Sequence, residues 1–493
     1  MDVRRAGAMM AAFAALGLAI PAAGAAAQEP VPDLSRELQL ARQTMTSEPV
    51  RNAFAYLERS RDETVQEWLS LCNAYGPSGD EIYRSRLLYK LFRIYGLDDV
   101  RIDHLRNVIG VRRGRSGRAA GGNAPTVVLN AHHDAVALWP KEQPIEAFVA
   151  DNRVWCPSGG DDLGGVVQLL TVLRALNAAN IQTQGDVWFT TFTGEEPARE
   201  YASPGSGFFV VSNYPHNVDW RKGDIIVQFH GGGGGGVSTG STPARHRTML
   251  RVFVPVQTNR WGPHAIDALG PILTRLATLR DPRAAAAGPG EGGDAGPFSR
   301  DSAVLFMNFP LVEASEIVNS PAREVRIRFD LRSESETVLQ RTHANIQRVA
   351  AEVTRQLGPQ YSYVYEIGNK NGVGLDVSQN AIEGWDKVNN APARALAAAA
   401  QVLYGGQPEI AWRDGCGDCV RAYREGMPMF SFRGNVVDRG GGRIERSGGT
   451  PLRSETRRVS TGHDVTESAD IDRLWAGVKH AVLFAVTYGG MAQ

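Results

Sequence analysis

Four cysteines in 493 residues are too few to build a disulfide scaffold, so a hydrophobic core must carry this fold. An excess of charge of one sign is missing too: 53 Lys and Arg offset 53 Asp and Glu. That balance removes any electrostatic case for a nucleic acid or an anionic membrane as partner. Beyond the N-terminus no apolar run approaches the roughly 20 residues that a span needs, so no membrane span is expected in the mature chain. No internal repeat is visible. A partner or substrate must therefore be argued from a site.

What is present begins with an export signal. Arg4 and Arg5 precede the apolar stretch "AGAMMAAFAALGLAI", Pro21 closes it, and "AAA" at Ala25 to Ala27 is a small-residue cleavage pattern. Residues 1–27 read as a signal peptide, with the mature chain starting near Gln28 and a periplasmic or secreted location. An uncleaved anchor is the weaker alternative, because the apolar run is short. Export implies an oxidising compartment, where Cys72, Cys156, Cys416 and Cys419 can form disulfides. "CGDC" fits a local disulfide or small-residue packing better than a redox site. Cys72 and Cys156 could pair, although spacing proves nothing.

The remaining length suffices for two or three domains. "EPVRNAFAYLERSRDETVQEWLSLCNAY" carries apolar residues at helical spacing. "GPSGDE" interrupts it, and Ser78 with Glu81 fits a capping box for the helix "IYRSRLLYKLFRIYG", which Gly96 would end. "VRIDHLRNVIGVRRG" reads as a strand hairpin. "TVVLNAHHD", "GDVWFTTFTGEE" and "DIIVQFHGGGGGG" read as buried strands with polar residues at their ends, and "GGDDLGGVVQLLTVLRALNAAN" as a turn and helix. Strand, helix, strand with such ends is an α/β sheet signature, and ligands sit beyond the carboxyl ends of its strands.

From about Arg245 the pattern becomes strand, helix, strand, helix, strand, a compact α+β insert. "DPRAAAAGPGEGGDAGPFSRD" inside it is low in complexity. The α/β pattern resumes near Ala391 and ends in "IDRLWAGVKHAVLFAVTYG". The expected division is catalytic domain 28–245, insert 246–368 and the second part of the catalytic domain 369–493.

The chemistry lies in four short stretches. In "LNAHHDAVAL", His132 and Asp134 are two apart on a strand and face one side. They could be two metal ligands, or a ligand and the carboxylate that orients it. In "SGGDDLGG", Asp161 and Asp162 sit in a glycine turn before a helix, where an aspartate could equally cap the helix. In "FTGEEP", Glu195 and Glu196 are adjacent carboxylates, which repel unless a cation or proton holds them. "STGHDVTE" supplies His463 in a loop before the last helix. Each has an ordinary explanation alone. Together, each at the edge of a core element, they point to a hydrolytic metal site, and histidine with carboxylate suits zinc.

This order resembles the dinuclear zinc exopeptidase and amidohydrolase superfamily of aminoacylase, carboxypeptidase G and peptidase T (metallopeptidase family twenty). "PSGDE", "NVIGVRRG" and "DGCGDCVRAYREGMPMFSF" add to the likeness. The resemblance implies a phosphorylase/hydrolase-like α/β catalytic domain with an inserted ferredoxin-like α+β lid or dimerisation domain. It implies that His132 binds one zinc with Asp134 orienting it, that Asp161 bridges two zincs, and that Glu196 and His463 complete the ligand set. Glu195 would be the general base, and a cis peptide would follow Asp161. Arg332 in "FDLRS" would anchor a substrate carboxylate.

Two departures stand out. Leu163 replaces a lysine of the family pattern, and His230 stands where an acidic ligand belongs. His230 is expected to bind zinc, giving two per chain; if it does not, one remains. The insert's helpful histidine has no clean match, His264 being a poor one. The expected activity is amide-bond hydrolysis of a peptide or an acylated amino acid. A homodimer through the insert stays open. The rival is a metal-depleted binding module on the same fold, which the Glu195–Glu196 pair argues against.

Overall fold

Proline and serine punctuate the N-terminal helices. α1 (Ser35–Thr46), α2 (Glu48–Arg59) and α3 (Arg61–Asn73) break at Ser47, which is extended, and at Ser60. Pro49 falls in the first turn of α2, where a missing N–H costs nothing. α4 (Ile82–Ile94) ends as expected at Gly96, whose φ of 75° suits glycine. The computed structural model describes residues 33–492 except 136–145, 197–203, 213–219, 221–222, 230–232, 239–243, 256–261, 280–305, 315–321, 334–335, 368–389, 406–409, 412–417, 419–421, 423–426, 428 and 435–466. The expected signal peptide, the low-complexity stretch of the insert, Cys416, Cys419, His230 and His463 therefore lie outside the described residues.

The capping box is a correction. Glu81 is the N-cap residue of α4 and makes no side-chain cap bond. Its carboxylate accepts from the Gly79 N–H at 2.6 Å, and the Ser78 hydroxyl donates to the carbonyl of Glu196, 118 residues away. Local spacing suggested a cap, but both side chains are recruited by distant or preceding backbone.

The strands are β1 (Asp98–Ile102), β2 (Val108–Arg112), β3 (Val127–His132), β4 (Phe148–Ala150), β5 (Arg153–Trp155), β6 (Val187–Phe192), β7 (Ile225–Phe229), β8 (Gly233–Ser238), β9 (Ala244–Phe253), β10 (Phe306–Glu313), β11 (Glu324–Ser333), β12 (Ser362–Glu366), β13 (Ile410–Ala411), β14 (Met429–Gly434) and β15 (Ser468–Asp470). The further helices are α5 (Leu163–Ala178), α6 (Pro204–Ser212), α7 (Leu269–Ala277), α8 (Glu336–Leu357), α9 (Ala391–Tyr404) and α10 (Ile471–Gly489). Eight strands form a mixed sheet in the order β1-β2-β6-β3-β7-β14-β8-β13. Its central strands β6, β3, β7 and β14 run parallel. The glycine run thus becomes a strand, β8, antiparallel to β14.

Period-two alternation fixes which residues face which layer. Val127, Leu129, Val187, Phe189, Ile225 and Val227 enter the core shared with α5, α9 and α10, whereas Val128, Trp188 and Ile226 enter a second cluster with Phe209 and Met429. Parallel strands buried on both faces read as continuous apolar runs, which these are. Leu163, at the position of the family lysine, is fully buried in the first core.

A separate four-stranded antiparallel sheet, β10-β11-β9-β12, packs with α7 and α8 around its own core of Leu250, Ile327, Phe329 and Ile346. The chain is therefore an α/β protein with an α+β insert. β10 was not anticipated. It carries Pro310 and is an edge strand whose register shifts between Asn308 and Leu311, the placement a residue without an N–H tolerates. Among the described residues no helix is long and apolar enough to cross a membrane.

His480 on α10 is buried, and its Nε2 lies 2.7 Å from the Leu396 carbonyl of α9. Burial pushes its pKa down from 6.5 to about 4, against a smaller upward pull from that carbonyl. Between those values the unfolded chain binds the extra proton, so stability rises with pH and is lost on acidification. Wild type is expected to lose about 2 kcal/mol more than His480→Gln between pH 7.5 and pH 5, read by urea unfolding. Equal losses in the two proteins would show that His480 is not the group responsible.

Candidate metal centre and active site

Three parallel strand ends and one helix start converge here, as the sheet topology dictates. His132 is the last residue of β3 and pairs with Phe192, the last of β6. Two residues on, Gly194 takes a φ of 70°, a turn that glycine allows at low cost, and Glu195 and Glu196 follow. Their backbone N–H groups both donate to Asp134, at 3.2 and 2.8 Å. The β3 and β6 ends are thus tied together by one buried carboxylate.

His132 is fully buried between two carboxylates. Its Nδ1 lies 3.2 Å from Asp134 Oδ1 and its Nε2 3.0 Å from Asp161 Oδ1. Burial opposes protonation of the ring, but the two carboxylates outweigh it and raise its pKa well above the ordinary value. Burial alone would raise the Asp134 carboxyl, yet the His132 ring and the Glu196 amide hold it low. Asp134 in turn adds to burial in pushing the Glu81 carboxyl up.

Asp161 and Asp162 divide their work. Asp162 occupies the N-cap position of α5 but makes no side-chain cap bond; its Oδ2 accepts the His132 N–H at 3.1 Å. Asp161, the less buried of the two, faces the His132 ring. A cis peptide joins them, as the family resemblance implied. Gly165 lets α5 approach: a Cβ there would lie 2.2 Å from Asp162 Oδ1 and 2.4 Å from the Phe229 carbonyl at the end of β7.

Several participants were not singled out from the sequence. His133 is buried, its Nε2 is 3.0 Å from the Ser85 hydroxyl, and burial drives its pKa down to about 3. Buried Arg84 donates to the carbonyls of His133 at 2.9 Å and Ala74 at 2.8 Å, and burial lowers its pKa to about 10. Both support the β3 end from behind. Glu467, also fully buried, accepts the N–H groups of Gly160 and Asp161. Its one sequence signal was its place at the end of "STGHDVTE".

The fit of a metal ion can be tested on the described residues. No three of their His, Cys, Asp or Glu side chains converge to hold one. Two do approach: His132 Nε2 and Asp161 Oδ1, 3.0 Å apart. Two donors on one tetrahedral zinc lie about 3.3 Å apart, so this pair fits an ion. Asp134 stands where an orienting carboxylate belongs, on the other ring nitrogen. Glu196 is buried at the end of the next strand, and Glu195 keeps 7 % exposure. His230 and His463 lie outside the described residues, as does the Arg332 side chain, although its backbone is in β11. His264 sits at the start of a short 3-10 turn in the insert, its N–H donating to Asp267 at 2.9 Å.

Comparison with known proteins follows the same outline. Residues 128–443 match the model of peptidase family M20/M25/M40. No curated protein matches the chain. Among solved structures, human carnosine dipeptidase 1 aligns with a TM-score of 0.62 at 12 % identity, covering 89 % of this chain and 98 % of that one. The dipeptidase Dug1p of Saccharomyces cerevisiae gives 0.59 at 12 % identity, with 89 % and 98 % covered. A hydantoinase/carbamoylase family amidase from Burkholderia vietnamiensis gives 0.56 at 14 % identity, with 87 % and 97 % covered. At such identities these likenesses speak for the fold.

Proposed function

Because the chain belongs to peptidase family M20/M25/M40, we propose that it is a zinc-dependent hydrolase of amide bonds, either an exopeptidase or an N-acyl amino acid amidohydrolase. The observation that carries this reading is the arrangement around His132: one ring nitrogen beside Asp134, the other directed at Asp161, with the β3 and β6 ends tied through Asp134. His132, Asp161 and Glu196 are the proposed ligands among the described residues, with His230 and His463 completing the set. Two zincs per chain are proposed, or one if His230 does not bind.

Bound there, zinc would acidify a water molecule and polarise the scissile carbonyl. Asp134, 3.2 Å from Nδ1, is placed to fix the tautomer and direction of His132. Because the same carboxylate holds the Glu195 and Glu196 amides, the pair's backbone stays fixed while the side chains act. Glu195 is proposed to take the proton from the attacking water and return it to the leaving amine. Arg332 is the proposed partner of a substrate carboxylate, since a guanidinium pairs with one in two parallel bonds.

Export to the periplasm or medium is part of the same proposal. The bond between Cys72 and Cys156 supports it, because disulfides persist in oxidising compartments.

The test is direct. Purified protein is analysed for metal and then offered short peptides and N-acyl amino acids with zinc present. One to two zinc ions per chain and hydrolysis that a chelator abolishes are expected. Metal-free protein that also fails to bind zinc and cleaves no member of either panel would point to the binding-module reading instead.

A further inference from the structure

Asp161 can face His132 only if its backbone is held, and the loop that carries it offers little of its own. The segment from Cys156 to Asp162 contains Gly159 and Gly160, and lies between strand β5 and helix α5. Two of its internal bonds are local turns, Gly159 N–H to Cys156 at 3.0 Å and Leu163 N–H to Ser158 at 2.9 Å. The rest of its anchorage comes from outside. On one side, α3 supplies the Cys72–Cys156 disulfide and the Trp68 indole, which donates to the Gly159 carbonyl at 3.0 Å. On the other side stands Glu467, immediately before β15.

One oxygen of Glu467 accepts both the Gly160 N–H, at 2.7 Å, and the Asp161 N–H, at 2.6 Å. Both distances lie at or below the short end of the ordinary N–H···O range. Glu467 is itself held: it is fully buried, its carbonyl accepts the Cys156 N–H at 3.1 Å, and β15 pairs with β5 in register. Its main chain is thereby fixed against β5, and burial leaves the carboxylate little room to turn away. It therefore sets the orientation of the 160–161 peptides, and through them the direction in which the Asp161 side chain leaves the backbone.

We infer that Glu467 is a positioning residue for the proposed metal centre: it clamps the backbone of Asp161 so that the Asp161 carboxylate is presented to His132 before any ion arrives. It acts as a hydrogen-bond acceptor, and its own carboxylate is not required as a ligand. This rests on the reading of Asp161 as a metal ligand. Preorganisation of this kind lowers the ordering that an ion would otherwise have to impose.

Three variants separate the possibilities. Glu467→Gln keeps an acceptor oxygen at the same reach. Glu467→Asp keeps the charge but is one methylene too short. Glu467→Ala removes both. Two readouts are taken on metal-free protein. Hydrogen exchange of the peptide covering 157–163 is expected to stay slow in wild type and Glu467→Gln and to accelerate in Glu467→Asp and Glu467→Ala, with α5 and β15 still protected. Zinc titration is expected to give a Kd within about 3-fold of wild type for Glu467→Gln, and one 10- to 100-fold weaker for the other two. A general structural defect would instead loosen α5 and β15 along with the loop.

The inference fails if Glu467→Asp binds zinc like wild type, if the exchange of 157–163 does not respond, or if Glu467→Gln is as impaired as Glu467→Asp. Should Glu467→Ala not fold, the Gln and Asp variants still decide it. Should wild type bind no zinc, the proposed function falls, while the exchange experiment continues to judge the clamp on its own.

Discussion

Glu195→Ala is expected to hold as much zinc as the wild-type enzyme and to turn over amide substrates at least about 100-fold more slowly. The argument starts from the backbone. Asp134 grips the Glu195 and Glu196 peptides through their N–H groups, so truncating the Glu195 side chain leaves those two bonds in place. Glu196 is almost wholly buried and Glu195 is slightly open, which suits a ligand and a proton carrier in that order. The loss should fall on kcat, since a proton-transfer group acts in the transition state. Glu196→Ala is the companion, and it should lose metal. If instead the Glu195 variant loses zinc and the Glu196 variant keeps it, the two roles are exchanged. Undiminished turnover by Glu195→Ala would remove that residue from the mechanism.

The second large effect concerns the Cys72–Cys156 bond, which closes a loop with a sequence separation of 84 and has Cα atoms 5.9 Å apart. Both cysteines are buried in the main core. On the chain-entropy estimate, a loop of that length is worth about 4–5 kcal/mol. The double variant Cys72→Ala/Cys156→Ala is therefore expected to unfold at markedly lower urea than wild type, with a change of that order extrapolated to water. A change below about 1 kcal/mol would mean that native packing, and not the cross-link, restrains this part of the chain.

The strands that bear the site were legible because burial leaves a periodic trace. "TVVLNAHHD" and "GDVWFTTF" read as buried strands and are strands, although β3 stops at His132 and Asp134 meets its ring from two residues beyond the strand. The insert was legible for the same reason, except for β10, whose proline breaks the pattern. What stayed illegible were side chains whose partners are backbone groups far along the chain. Asp161 and Asp162 are neighbours with the same chemistry, and only the fold shows that one faces a histidine ring while the other accepts its N–H. Ser78 and Glu81 carried a convincing local motif, but Ser78 bonds the distant Glu196 carbonyl and Glu81 the Gly79 N–H just before it. Glu467 acts on N–H groups some 306 residues earlier, and a main-chain donor has no letter of its own in a sequence.

The pairing of β15 with β5 has a consequence for how the molecule comes into being. Residues 468–470 are made more than 300 residues after their partners at 153–155. A chain that folds from its N-terminal side first could assemble β3, β6 and α5 and still lack the acceptor that fixes the loop between them. Contacts separated by more than 300 residues are slow to close. On the proposed function, hydrolytic competence would then have to wait for β15, so that a chain not yet extended to it is inert toward the peptides around it.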